Sequence, residues 1–207
     1  MTVKKFLAGF FGTNCYLAVN DDTKEAVIID PASLPENLKE CVEKEGIRIQ
    51  AVLLTHAHFD HIMGIDAVLE RCGQIPVYVH EEDIRMLEDA ELNLSGGCGM
   101  AYTFMKGEAV KDGQVLTLAG CEFRVIHTPG HTPGGVCYYV ESEGVLFSGD
   151  TLFEQSVGRT DFPGGSMAEL VRGIEEKLFI LPEDVHVYPG HMGTTTIGEE
   201  KAFNPFI

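Results

Sequence analysis

The stretch that most restricts the fold is Ile49–Leu54, a short apolar run, together with the seven residues after it, Thr55-His56-Ala57-His58-Phe59-Asp60-His61. An apolar run of that length reads as a strand buried on both faces, which requires further layers of structure on either side. Four side chains able to bind metal then follow within six positions. His56 and His58 are two apart, so an extended backbone points both imidazoles the same way. Asp60 and His61 fall where the next helix begins, and the turning chain aims them at a second point nearby. Imidazole suits zinc or iron, and carboxylate adds hard-oxygen character, so the cluster is suited to transition metals. With 8 histidines in 207 residues, three within six positions is hard to attribute to chance.

Three more candidate ligands each leave the end of a strand-like run. His131 lies in Thr128-Pro-Gly-His131-Thr-Pro-Gly134, rigid turn chemistry directly after the strand-like Glu122–His127. Asp150 follows Val145-Leu-Phe-Ser-Gly149, and His191 follows Val185–Tyr188 through Pro189-Gly190. Gly130, Gly149 and Gly190 each immediately precede one of these candidates. The repeated strand, glycine, ligand order places them all on one rim of the sheets, where open α/β folds carry their sites.

The remaining chain alternates strands with helices. Cys15–Val19 and Glu25–Ile29 read as strands, the second ending in Asp30-Pro31. Ser33-Leu-Pro-Glu36 has the S-x-x-E form of a capping box before a helix with Leu38, Cys41 and Val42 on its apolar face and Gly46 as its stop. Ile62, Ile65, Val68, Leu69 and Cys72 mark a second helix stopped by Gly73, Val77–Val79 a buried strand, and Glu81–Ala90 a helix. Val115–Leu118 and Gly135–Val140 complete the strands. Ser166-Met-Ala-Glu169 is another capping box, opening a helix with Leu170, Val171, Ile174 and Leu178 on one face. Leu92–Gly107, Gly-rich yet carrying Met100, Tyr102, Phe104 and Met105, reads either as a binding loop or as a segment folded onto the core. Strand-rich halves with flanking helices predict a layered α/β protein with two packed sheets, and no linker or composition shift divides residues 1–207, so one domain is expected.

Charge narrows the partners. Lys+Arg number 15 against 32 Asp+Glu, a formal charge of −17, which opposes binding to nucleic acid or to anionic lipid. An anionic substrate must then be drawn by something local, a metal ion or one well-placed Arg. The six cysteines are scattered without a CxxC, the pattern of reduced thiols in a cytoplasmic protein. Lys4-Lys5 and the run Phe6–Phe11 resemble a signal peptide only faintly, since the run stops at Gly12-Thr13-Asn14 and no small-x-small site follows. No run of 18 apolar residues occurs, so no membrane-spanning helix is expected.

The set Thr55–His61, Thr128–Gly134, Ser148-Gly-Asp150 and Tyr188-Pro-Gly-His191 resembles the metallo-β-lactamase fold superfamily over most of the chain. Asn14-Cys-Tyr-Leu17, Gly158-Arg-Thr-Asp161 and Asn204-Pro-Phe206 are similar to the branch that holds glyoxalase II-like thioester hydrolases and persulfide dioxygenases. The resemblance implies a four-layer αββα sandwich and two divalent metal ions, zinc first, with iron or manganese as alternatives. Carried over by motif, His56, His58 and His131 would bind the first metal, and Asp60, His61 and His191 the second. Asp150 would bridge them. True β-lactamases of this fold do not use a bridging Asp there, so the resemblance points away from antibiotic hydrolysis.

The implied reaction is hydrolysis of a small thioester such as S-lactoylglutathione. A hydroxide shared by two metals about 3.5–4 Å apart attacks a polarised carbonyl. A thiolate leaves readily, thiol pKa values being about 8.5, so no strong general acid is needed. Asp60 would also orient the hydroxide. Arg159 stands where glyoxalase II-like enzymes carry a basic residue that touches glutathione, and a salt bridge with Asp161 is the competing reading of it. His127 reads as a residue supporting a ligand from behind. His80 and His186 read as hydrogen-bonded structural histidines. Full glyoxalase II enzymes carry an added C-terminal helical domain, and with 16 residues after His191 the expected match is to the single-domain hydrolases. Two alternatives stay open: a persulfide dioxygenase with one iron on His56, His131 and Asp150, and a lactonase or other ester hydrolase of the same fold.

Overall fold

In a computed structural model describing residues 1–207, the main strands sort into two six-stranded sheets. The first contains β1 (Thr2–Ala8), β2 (Thr13–Val19), β3 (Glu25–Ile29), β4 (Arg48–Leu53), β5 (Val77–His80) and β6 (Glu108–Val110), in chain order across the sheet. Its first three strands are antiparallel and β3 to β6 run parallel. The second contains β7 (Val115–Leu118), β8 (Cys121–His127), β9 (Val136–Val140) and β10 (Val145–Gly149). A small hairpin, β11 (Leu152–Phe153) and β12 (Ser156–Val157), precedes β13 (His186–Pro189) and β14 (Thr195–Thr196) of that sheet. No helix is long and apolar enough to cross a membrane.

Period-2 alternation on strands with two buried faces makes the layers. Along β2, Cys15, Leu17 and Val19 enter one core while Tyr16 and Ala18 enter another. In β3, Ala26 and Ile28 part from Val27 and Ile29 in the same way. The first core packs the outer face of sheet one against α1 (Glu36–Glu45), α2 (Phe59–Ile62), α3 (Ile65–Cys72) and α4 (Ile84–Leu87), through Leu38, Val42, Ile62, Ile65, Val68 and Leu87. The second lies between the sheets, where Val136, Tyr138 and Phe147 meet Tyr16, Val27 and Leu53. The third packs Cys137, Tyr139 and Leu146 against α5 (Met167–Gly173), its π-type continuation Ile174–Leu178, and α6 (Ile197–Phe203). Three cores between four layers are the αββα sandwich expected from the sequence. Leu53 is fully buried between the sheets, so truncation to Ala there would cost about 2–5 kcal/mol.

Two buried phenols tie the sheets together beneath the rim. Tyr138 of sheet two donates to the Leu54 carbonyl at 2.9 Å, and Tyr16 of sheet one donates to the Pro189 carbonyl at 2.7 Å. In each case the hydrogen bond ends two residues before a candidate ligand.

Several local expectations differ from the structure. Ser33 does not cap α1: the helix begins at Glu36 after Pro35, and the Ser33 hydroxyl accepts the Gly9 N–H instead. The Ser166 box does form, its hydroxyl accepting the Glu169 N–H at 3.3 Å. The helix after the histidine cluster is broken at Met63-Gly64, where the Gly64 N–H bonds to the Pro31 carbonyl at 2.7 Å and a Cβ would collide with that backbone. Residues 81–90 make only short turns ending at Leu87. Thr2–Ala8, not assigned to an element from the sequence, is a strand paired along its length with β2. In residues 92–107, Leu92, Tyr102 and Phe104 fold onto the first core and Leu94 reaches the cleft described below, so the segment divides between its two readings. All six cysteines are free.

Candidate metal centre

Topology alone gathers the candidates. β8 and β10 both run antiparallel to β9, and β13 runs parallel to β10, so all three end on the same side of sheet two. Their C-terminal loops carry His131, Asp150 and His191. The loop after β4, carrying His56 to His61, is joined to this rim by a Val136 N–H to Thr55 carbonyl bond of 2.8 Å. Two glycines permit the close approach. Gly149 is left-handed (φ 50°) against Thr55, and a Cβ on Gly190 would collide with Asp150 Oδ1 and lie 2.7 Å from His61 Cε1.

All seven sequence-derived candidates converge. His56, His58 and His131 offer ring nitrogens within 4.8 Å of one another, and Asp60, His61 and His191 form a second such group. Within the first, His58 Nδ1 lies 2.9 Å and His56 Nε2 3.3 Å from His131 Nε2. Within the second, His191 Nε2 lies 3.3 Å from Asp60 Oδ2. Asp150 reaches both: its Oδ2 is 3.6 Å from His131 Nε2 and 3.6 Å from His191 Nε2, and its Oδ1 is 3.5 Å from His61 Nε2.

These donors fit divalent metal ions. His61 Nε2 and Asp150 Oδ1 are buried without any hydrogen-bond partner, although native interiors satisfy nearly all such atoms. A cation is the partner that a set of imidazole nitrogens and carboxylate oxygens accepts in common. Electrostatics agree. Burial opposes charge on His61, yet Asp150, Asp60 and Asp30 crowd it and push it up to about 10. Burial, reinforced by His131, drives His58 down to about 3, and burial with the neighbouring imidazoles lowers His56 as well. The carboxylates therefore demand a positive charge that His56 and His58 resist carrying.

The rings are aimed from behind. His61 Nδ1 lies 3.0 Å from Asp30 Oδ2, and His131 Nδ1 lies 2.7 Å from the Arg159 carbonyl. His56 Nδ1 lies 3.1 Å from Thr55 Oγ1, whose hydroxyl donates to Asp30 Oδ2 at 2.6 Å. With the proton held on Nδ1 in each, Nε2 is left to face the centre. Asp30 sits in the left-handed region (φ 49°), strained backbone of a kind that gathers at functional sites. Sequence reasoning missed it as a site residue, although its position at the end of an apolar strand matches that of the other candidates.

Asp83 was missed too, and no local signal marks it within Glu81-Glu82-Asp83. Fully buried, it accepts the Ala57 N–H at 3.0 Å, the Thr132 hydroxyl at 2.9 Å and the Gly134 N–H at 2.7 Å, clamping the two loops that carry the first histidine group. Burial raises its pKa. Asn14 performs the like service for the second group, donating to the carbonyls of Pro189 (2.9 Å) and Met192 (3.1 Å) on either side of His191. Asn204 donates to the Ser156 carbonyl at 3.1 Å and so pins the end of the chain to the cleft wall.

Two expected supporting residues behave differently. His127 touches no candidate ligand; its Nε2 lies 2.8 Å from the Pro133 carbonyl and its ring stacks on His80 at 4.0 Å, so it supports the loop bearing His131 rather than the ring. Arg159 forms two 2.7 Å bonds to Asp161 and lies 4.0 Å over the Phe162 ring, while its backbone carbonyl holds His131. The salt-bridge reading therefore describes its side chain. His80 accepts the Glu82 N–H at 3.4 Å, whereas His186 is exposed on its strand.

The family model for the metallo-beta-lactamase superfamily matches residues 8–191. The chain belongs to that superfamily. Among solved structures it is similar to the BLEG-1 B3 metallo-beta-lactamase, with 45% identity, a TM-score of 0.93 and 99% of both chains covered. It is also similar to TTHA1623 in a di-iron-bound form, with 35% identity, a TM-score of 0.86 and 99% of this chain and 100% of that one covered. The probable metallo-hydrolase YqgX of Bacillus subtilis is 37% identical across 100% of this chain and 98% of its own length. The hydroxyacylglutathione hydrolase GloC of Haemophilus influenzae is 35% identical, across 95% of this chain and 93% of its own length. These relatives put the chain among the metallo-hydrolases of the superfamily.

Proposed function

We propose that the protein is a binuclear metal hydrolase of thioesters, with S-lactoylglutathione the first substrate to test. The observation that carries this reading is Asp150 standing between two ligand groups, within 3.6 Å of a histidine in each. Two divalent ions there, zinc or alternatively iron or manganese, would supply an acidified water as nucleophile and an electrophile for the carbonyl oxygen. His56, His58 and His131 would hold the first ion, Asp60, His61 and His191 the second, and Asp150 lies within reach of both groups. Asp60 faces the cleft, with the Thr13 hydroxyl 3.4 Å from its Oδ2, and its carboxylate would orient the attacking water. A thiol leaving group, with a pKa of about 8.5, departs without a strong acid beside it. The similarity to GloC supports the thioester.

The similarity to BLEG-1 favours a second reading, β-lactam hydrolysis, which places a different acyl group before the same centre. The test is metal stoichiometry on the purified protein beside an activity panel of S-lactoylglutathione, a β-lactam and glutathione persulfide. Two metals per chain with thioester turnover are expected. Turnover of the β-lactam alone supports the second reading, and one iron with oxygen uptake on persulfide overturns both.

A further inference from the structure

The candidate centre lies at the bottom of a cleft of about 430 Å³. Apart from the candidate ligands, the only polar side chains lining it are Ser156 and Arg159, both on one wall. The rest of the lining includes Phe11, Phe59, Leu94, Phe153, Phe162 and Met192. Phe162 stands edge-on to His58 at 5.6 Å and Phe153 edge-on to His191 at 6.3 Å, so a group bound at the centre meets an aromatic ring on each side. Phe11 packs edge-to-face on Phe59 at 5.4 Å yet remains 58% exposed, and Met192 is 56% exposed. This is apolar surface at a site mouth that a ligand would remove from water. The Arg159 charge is already paired: its Nε and Nη2 each bond to Asp161 at 2.7 Å, which weakens its pull on an incoming carboxylate, on a molecule of charge −17.

From this distribution we infer that the cleft selects a neutral, apolar acyl group of short-alkyl or single-ring size, seated on the Phe11, Phe59 and Leu94 side. The polar part of the thiol carrier takes the Ser156 and Arg159 wall. The inference rests on the thioester hydrolase reading and goes beyond it, because it places S-lactoylglutathione, with its hydroxylated acyl group, below apolar thioesters in preference. Each buried methylene is worth about 0.8 kcal/mol, which is about fourfold in kcat/KM when the gain appears in the transition state.

The experiment uses the metal-loaded protein and one common thiol, N-acetylcysteamine, carrying acetyl, butanoyl, hexanoyl, phenylacetyl or lactoyl groups. Rising kcat/KM from acetyl to hexanoyl is expected, with lactoyl about tenfold or more below butanoyl, which has the same number of heavy atoms but a methyl-ended alkyl chain in place of the hydroxyl. Phe11→Ala and Leu94→Ala, on the acyl side of the cleft, should each lower the hexanoyl to acetyl ratio severalfold. A flat series, or lactoyl preferred over butanoyl, overturns the inference. Calorimetric binding of acetate and hexanoate to the same loaded protein separates the two proposals. Tighter hexanoate binding without turnover of any thioester sustains the apolar subsite and defeats the thioester reading, whereas equal binding of both acids defeats the subsite.

Discussion

The Asp83 carboxylate accepts the Gly134 N–H at 2.7 Å, and with its bonds to Ala57 and Thr132 this joins the two histidine loops from opposite sheets. Asp83→Ala would leave three buried donors unpaired. A loss of roughly 3 kcal/mol or more in denaturant unfolding is expected, with metal affinity at the first group falling about 10–100-fold. Chelator competition measures the second effect. Unaltered metal affinity would show that the clamp is purely structural.

His58 lies on the open side of its group, facing the cleft, and contributes Nδ1 rather than Nε2. His58→Ala should reduce bound metal from two ions to one per chain and lower kcat/KM by about a hundredfold or more, since even supporting residues behind a ligand are worth 10–100-fold. Circular dichroism should show the fold retained. Full activity in this variant would overturn the ligand assignment.

Asn14 reaches across from sheet one to hold both carbonyls beside His191. Replacement by Ala removes two hydrogen bonds at a nearly inaccessible side chain, a loss of about 1–3 kcal/mol. Because the loop it holds bears a ligand of the second group only, metal titration should show one site weakened and the other unchanged.

His80, stacked on His127, gives stability a pH dependence outside the metal centre. Burial, with the adjacent His127, drives His80 down to about 4, and Glu81 and Asp112 oppose the shift only partly. Folding therefore favours neutral His80, while the unfolded chain, near the ordinary 6.5, takes up a proton first as the pH falls. This contribution is intact above about pH 6.5 and is lost between 6.5 and about 4. After allowance for partial solvent screening it amounts to about 1–2 kcal/mol. Urea melts at pH 7 and 4.5 should differ less for His80→Gln than for the parent protein. Equal pH differences in the two proteins would remove His80 as the source.

The gathering of the candidate ligands was legible because their spacing is written locally. Thr55–His61 follows a strand whose burial shows in its composition, and two-residue spacing on extended chain does place His56 and His58 side by side. The glycines before Asp150 and His191 were equally visible, since close approach demands a residue without Cβ. The strand at Thr2–Ala8 was not, because its exposed residues hide the alternation until β2 pairs with it. Ser33 had the pattern of a helix cap, but tertiary contact with Gly9 claimed its hydroxyl.

By itself, then, the sequence determined the layered α/β class and the identity of the metal-binding candidates, because strand burial and ligand spacing are properties of neighbouring residues. Only the tertiary structure decided which nitrogen of each imidazole faces the centre, that Asp30 and Asp83 hold the loops, and that Arg159 is spent on Asp161. Those depend on hydrogen bonds between segments far apart in the chain. A donor or acceptor in a sequence does not reveal its partner until folding has brought the two together and excluded water from between them.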